Sequence, residues 1–301
     1  MPRRWCVLAF AWPLVTSLVR AQAPALDEAP TVLETRAGAS TLFGYAKSPF
    51  FVPEFPAVSG HVLLLRPAVA RRISSPLWLG FAAPLALTSI RQPAGTYVDE
   101  AAWGNPALTI EYDWGGLESG NGFRGVARAS LGLPLAEHGP RASQMANRAL
   151  ALADALQALR EPSSYTPGVA SLTLEYRADF ASGAWLFGPG LSVPLLVRVD
   201  EAELPSTQTR AVGLRPRADL RAMYHPRRWF GVGAESSVTF DVVRVTEPIH
   251  EDHVRQRVQP SIRPQVVFDK ERFRVVLSCL AAIGGPVHGS AGCGGDGILR
   301  F

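Results

Sequence analysis

Lysine is almost missing from this chain: of 30 basic residues, only Lys47 and Lys270 are not arginine. Charged residues of both signs make up 19% of the sequence. Such a composition does not describe a loose, solvated surface of lysines. Arginine is the better residue for fixed, partly desolvated pairing with carboxylates. Cysteine is also scarce, with three residues at Cys6, Cys279 and Cys293, which excludes a disulfide-dense scaffold. After residue 23 there is no run of ~20 uninterrupted apolar residues, so no transmembrane helix is expected. Helical periodicity is confined to one segment. There is no Gly-Lys-Ser/Thr phosphate loop.

The N-terminus carries an export pattern. Arg3 and Arg4 precede an apolar run from Trp5 to Val19, followed by Ala21-Gln22-Ala23. This predicts a cleaved signal peptide over 1–23. Cys6 lies inside the apolar run, which argues against a lipid anchor. Cleavage removes three arginines and no acids, lowering the formal charge from +4 to +1. The basic balance therefore makes no case for nucleic acid, whose binders cluster charge on one patch. Cys279 and Cys293 remain, in a compartment that permits a disulfide.

What the chain has in quantity is a period of two. In "VGLRPRADLRAM" (212–223), Arg215, Arg217, Asp219 and Arg221 alternate with Leu214, Ala218, Leu220 and Ala222. Successive strand side chains leave opposite faces, so this is a strand with one charged and one apolar face. The same alternation recurs in 108–114, 169–180, 228–242 and 255–268. Short connections fall near 72–75, 116–121, 182–183, 225–228 and 270–271. Longer ones fall near 47–57, 91–103, 136–166, 200–208, 245–254 and 284–289. Tight turns at one end and long loops at the other are how a membrane barrel is laid out. The last strand ends "GGDGILRF", with Leu299 and the terminal aromatic Phe301 on one face. This C-terminus and the alternation resemble Gram-negative outer-membrane β-barrels, a resemblance that covers nearly the whole mature chain. "WGNPALTIEYDWG" (103–115) looks like strands of channels that take up hydrophobic compounds.

The expected fold is therefore all-β: an antiparallel transmembrane β-barrel of about twelve strands, with one helix in a long outer loop. Residues 24–35 are expected to form an N-terminal periplasmic segment and 36–301 the barrel. The apolar faces meet outer-membrane lipid. The charged faces line a lumen, placing Arg124, Arg128, Arg177, Arg215, Arg217, Arg221, Arg255, Arg257, Arg263, Arg272 and Arg274 inside. Glu111, Asp113, Glu175, Asp179, Asp219, Glu235 and Asp241 are expected to face them. Eleven arginines against seven acids leave a positive surplus, which in a channel favours anions. Some pairs follow from the hairpins, including Arg217 opposite Glu235. A turn at Ser182-Gly183 would set Arg177 opposite Gly188, and one at Lys270-Glu271 would set Phe268 opposite Phe273. A hairpin centred near Pro286 places Cys279 opposite Cys293, within reach of a disulfide. Prolines at 67, 84, 134, 194, 216, 260 and 264 conflict with uninterrupted strands, because each lacks a ladder donor.

Residues 141–160 form the helical exception. Ala142, Met145, Ala149, Leu152, Leu156 and Leu159 recur at spacings of three and four. Such a helix either lies across the barrel mouth or a partner's surface, or folds inward as a constriction or plug.

No enzyme chemistry is expected. "GCGGDG" (292–297) matches a dinucleotide fingerprint only formally, since no helix can follow it four residues from the chain end. "IHEDHV" (249–254) reads as a solvated loop rather than a metal site. No serine stands beside a histidine as a nucleophile would. Neither cofactor nor metal is expected. The expected activity is passage of small polar or anionic solutes across the outer membrane, with the assembly machinery engaging Phe301. A closed structural barrel and a secreted soluble β-sandwich are the alternatives.

Overall fold

The computed structural model describes residues 34–48, 58–92, 94–117, 121–136, 144–157, 160, 164–166, 168–199, 212–240, 242, 258–285 and 287–301. The expected signal peptide and nearly all of the 24–35 segment lie outside these residues. So do Asp241, Arg255, Arg257 and the 249–254 cluster.

The described residues form a closed barrel of twelve antiparallel strands. They are β1 (Thr35–Ser48), β2 (Val58–Ser74), β3 (Leu77–Ala82 continuing as Leu85–Arg91) and β4 (Tyr97–Trp103 continuing as Ala107–Gly116). There follow β5 (Asn121–Gly132), β6 (Val169–Ser182), β7 (Trp185–Arg198), and β8 (Val212–Leu214 continuing as Arg217–Arg227). The last four are β9 (Phe230–Phe240), β10 (Val258–Asp269), β11 (Phe273–Ala282) and β12 (Ala291–Arg300). The ladder closes between β1 and β12, where Thr35 and Phe301 exchange backbone hydrogen bonds of 3.2 and 2.9 Å. The barrel thus begins at Thr35, one residue before the expected boundary. Both ends lie on the short-turn rim, the periplasmic side in this architecture.

Closure decides between barrel and sandwich. A sandwich would bury the apolar faces between two sheets. Here Phe43, Ile110, Trp185 and Leu220 all stand on the outside, about half exposed. A wall this apolar is stable in lipid, where a closed sheet also pairs its backbone groups. Aromatic clusters mark its two edges. Trp185 with Phe187 and Tyr224, and Trp229 with Phe230 and Phe268, sit near the short turns. Phe43, Tyr45, His61 and Tyr97 cluster toward the long loops. This is the girdle pattern of membrane barrels.

The prolines fall where the ladder can lose a donor. Ala83-Pro84 and Arg215-Pro216 are the breaks within β3 and β8. Pro67, Pro194, Pro216 and Pro260 each still accept a backbone hydrogen bond through the carbonyl. Residues 97–103, expected within the long connection 91–103, instead form the outer half of β4, and its hairpin loop is only 92–96. Gly104-Asn105-Pro106 then inserts a bulge opposite Ala83-Pro84, so the inward positions change parity from Ala102 to Ala107.

Two expected hairpins turn one residue later, which shifts their register by two. The turns are Gly183-Ala184 and Glu271-Arg272, so Arg177 faces Gly190 and Phe268 faces Val275. A two-residue slip keeps every side chain on its own face, which is why the inside–outside division survives it. Cys279 and Cys293 are register partners and disulfide-bonded, on the lipid face.

Helix α1 (Gln144–Gln157) is three residues shorter at each end than its apolar pattern suggested. It lies inside the barrel wall, against β1, β2 and the outer halves of β3 and β4. Ala149, Leu150, Leu152, Ala153, Ala155 and Leu156 are buried with the inward-facing Leu42, Val62, Leu64, Ala86, Ile90 and Leu280. A helix buried on nearly all sides belongs to a core. The barrel therefore carries an internal apolar core toward its outer end.

Candidate functional site

The inner wall is asymmetric. Small residues (Gly38, Ala68, Ala70, Gly80, Ala82) line the inner face of β1–β3 nearer the short turns, while β5–β10 carry most of the charge. The space left by the small residues is a cavity of about 560 Å³. Ten arginines and six carboxylates line it.

Alternation within each strand puts these groups on one face, and pairing in the sheet brings them into a network. Arg124 makes a bidentate pair with Asp113. Arg128 bridges Glu111 at 2.7 Å and Glu175 at 3.1 Å. Arg221 holds Asp179 at 2.6 Å, and Arg177 approaches Asp219 at 3.3 Å. Room for these carboxylates comes from β7: a Cβ at Gly188 or Gly190 would collide with Asp179 or Asp219. Glu235, 2% exposed, is the centre. It takes Arg263 at 2.7 Å, Arg217 at 2.9 Å and Arg177 at 3.7 Å. Arg217 reaches Glu235 diagonally, since its register partner is Thr239 and Glu235 itself stands opposite Arg221. With Asp219 on Arg177, two carboxylates stand among three guanidiniums, a local positive excess.

Arg215 faces inward and meets Asp154 of α1 at 3.6 Å. Arg274 lines the cavity and is 3.8 Å from Asp269. Arg272 is different: it lies in the exposed β10–β11 turn and does not reach the lumen. The reason is that the turn is Glu271-Arg272 rather than Lys270-Glu271, which takes Arg272 out of the strand.

Several site residues escaped sequence reasoning. Arg160, just past α1, grips Asp296 of β12 with two 2.6 Å contacts and Ser40 of β1 at 2.8 Å; its carbonyl accepts from Arg217. Asp296 shares the inward parity of Ile298, so the alternation of β12 could have revealed it. Arg160 carried no such signal, because its partner is 136 residues away. Asn105 anchors the long loop to the wall. Its side chain donates to the Thr166 carbonyl at 2.7 Å and accepts from the Ala136 amide at 2.8 Å; its own amide donates to Ser164 at 2.6 Å. Gly104 beside it admits Ser164 and Tyr165, which a Cβ would strike. Among the described residues, no group of three His, Cys, Asp or Glu could hold a metal.

Comparison with solved structures agrees with this architecture. An outer-membrane channel from Pseudomonas putida F1 superposes with a TM-score of 0.63 at 12% identity, covering 93% of this chain and all of that one. The fold is that of an outer-membrane β-barrel. The translocator domain of an autotransporter from Neisseria meningitidis (TM-score 0.46, 10% identity, 98% and 97% covered) is more distant. So is the toluene transporter of P. putida (0.36, 10% identity, 90% of each). No protein-family model matches the sequence, and no curated protein matches it.

Proposed function

We propose that this barrel is an outer-membrane channel for small anionic solutes, narrowed by α1 in its outer half. The observation that carries the reading is the excess of arginine over carboxylate around the cavity. In a confined lumen, fixed charge of one sign concentrates counter-ions and sets selectivity. Phe301, exposed beside the lipid-facing Leu299, is the contact for the assembly machinery in this reading.

The test is the reversal potential of the purified protein across a salt gradient in planar bilayers. Anion selectivity is expected, and replacing Arg128 and Arg274 with glutamine should move the potential toward zero. A barrel that conducts nothing, or that prefers cations, would overturn the proposal. The former result favours a closed structural barrel, a reading supported by the apolar packing of α1 against the wall and by the Arg160–Asp296 contact beneath it.

A further inference from the structure

We propose that the periplasmic end of the cavity is a binding site for a small dicarboxylate, held between Arg36 and Arg274. The inference rests on the channel reading and narrows its solute class. Arg36 on β1 stands directly opposite Arg300 on β12; Arg274 on β11 stands opposite Ile298, two positions along the same strand. Three inward-facing arginines thus occupy three adjacent strands within two residue positions of one another. Like charges placed opposite each other across a sheet repel unless counter-charge separates them.

The protein supplies that counter-charge unevenly. Arg300 is satisfied by Asp269 at 3.1 Å and by the carbonyls of Lys270 and Glu271. Arg36 reaches Glu111 only at 3.5 Å, and Arg274 reaches Asp269 only at 3.8 Å. Deeper in the wall, by contrast, Arg217, Arg221 and Arg263 have carboxylates at 2.6 to 2.9 Å. Arg36 is nevertheless held in place, its guanidinium lying 3.5 Å from the centre of the Trp78 ring. Stacking uses the face of the guanidinium and leaves its N–H edge for an oxyanion. Both Arg36 and Arg274 border the cavity. Their strands are separated by β12, so the two backbones stand about 10 Å apart at the usual inter-strand spacing. Two guanidiniums reaching inward from that separation suit an anion with a carboxylate at each end better than a single-charged one.

The experiment is calorimetric titration of the folded, detergent-solubilised barrel with succinate and with acetate at constant ionic strength. Succinate should bind at least about tenfold more tightly, since it gains a second charge-assisted contact. Arg36→Gln and Arg274→Gln should each remove that advantage, whereas Arg91→Gln, at the opposite rim, should not. Heat-modifiable gel mobility identifies folded variants. Should one fail to fold, quenching of Trp78 fluorescence by succinate, lost in Trp78→Phe, supplies the readout. Equal affinity for the two anions, or variants that keep the preference, would overturn the proposal. Binding without conductance would overturn the channel reading and leave this site standing; anion conductance without a succinate preference would do the reverse.

Discussion

Glu235 shows how much rests on one side chain in this lumen. Its carboxylate is buried beneath Arg217 and Arg263, with Arg177 close by. Bringing such charges out of water is costly, and pairing repays the cost only while the partner is present. Glu235→Gln should therefore destabilise the barrel by about 3–5 kcal/mol, the usual range for breaking a buried pair. Urea unfolding of the lipid-refolded protein measures this, and a loss below about 1 kcal/mol, the surface-pair range, would mean that water reaches the cluster freely. Asn105 has a comparable role through neutral bonds, tying Ala136, Ser164 and Thr166 to one bulge in the wall.

Helix α1 is the element in which pattern and placement part company. Its spacing of apolar residues calls for one covered face, and a covering could come from the barrel mouth, a partner or the lumen. The structure places it against Leu42, Val62, Leu64, Ala86 and Ile90. With Ala102 on β4 and Leu280 on β11, these inward positions form one apolar patch, which gives the helix a compatible wall. If α1 is the constriction, replacing residues 141–160 with a flexible linker should raise single-channel conductance several-fold. The chloride-over-potassium preference should persist, because every charged side chain of β5–β10 itself remains in place. Unchanged conductance would assign the resistance to the arginine network itself.

At the scale of the molecule, the exterior determines where the protein resides. Apolar side chains around the outside, with aromatic clusters toward both rims, require a lipid environment. The folded protein is expected to fractionate with outer membranes and to migrate faster on gels before boiling than after. A detergent-independent soluble monomer would contradict that placement. The disulfide between Cys279 and Cys293 joins strands already paired in the sheet. It reinforces an established register rather than creating one.

Much of this was legible from alternation alone. A strand period of two assigns Arg217, Asp219 and Arg221 to one face and Leu220 and Ala222 to the other, whatever lies beyond the sheet. Strand number, the division of faces and the Cys279–Cys293 pairing followed from that parity and the turn spacing. The displaced turns at Gly183 and Glu271 left it unharmed, because an even slip preserves sides. Parity does not say how far a strand runs before turning, which is why Arg272 left the lumen and Tyr97–Trp103 joined the wall. Nor does it say which groups meet across a closed cylinder. Arg217 bonding Glu235 off-register, Arg160 gripping Asp296, and Arg36 lying over Trp78 all depend on curvature and strand stagger. Those contacts join residues from separate strands and loops, and only the assembled tertiary structure brings them within reach.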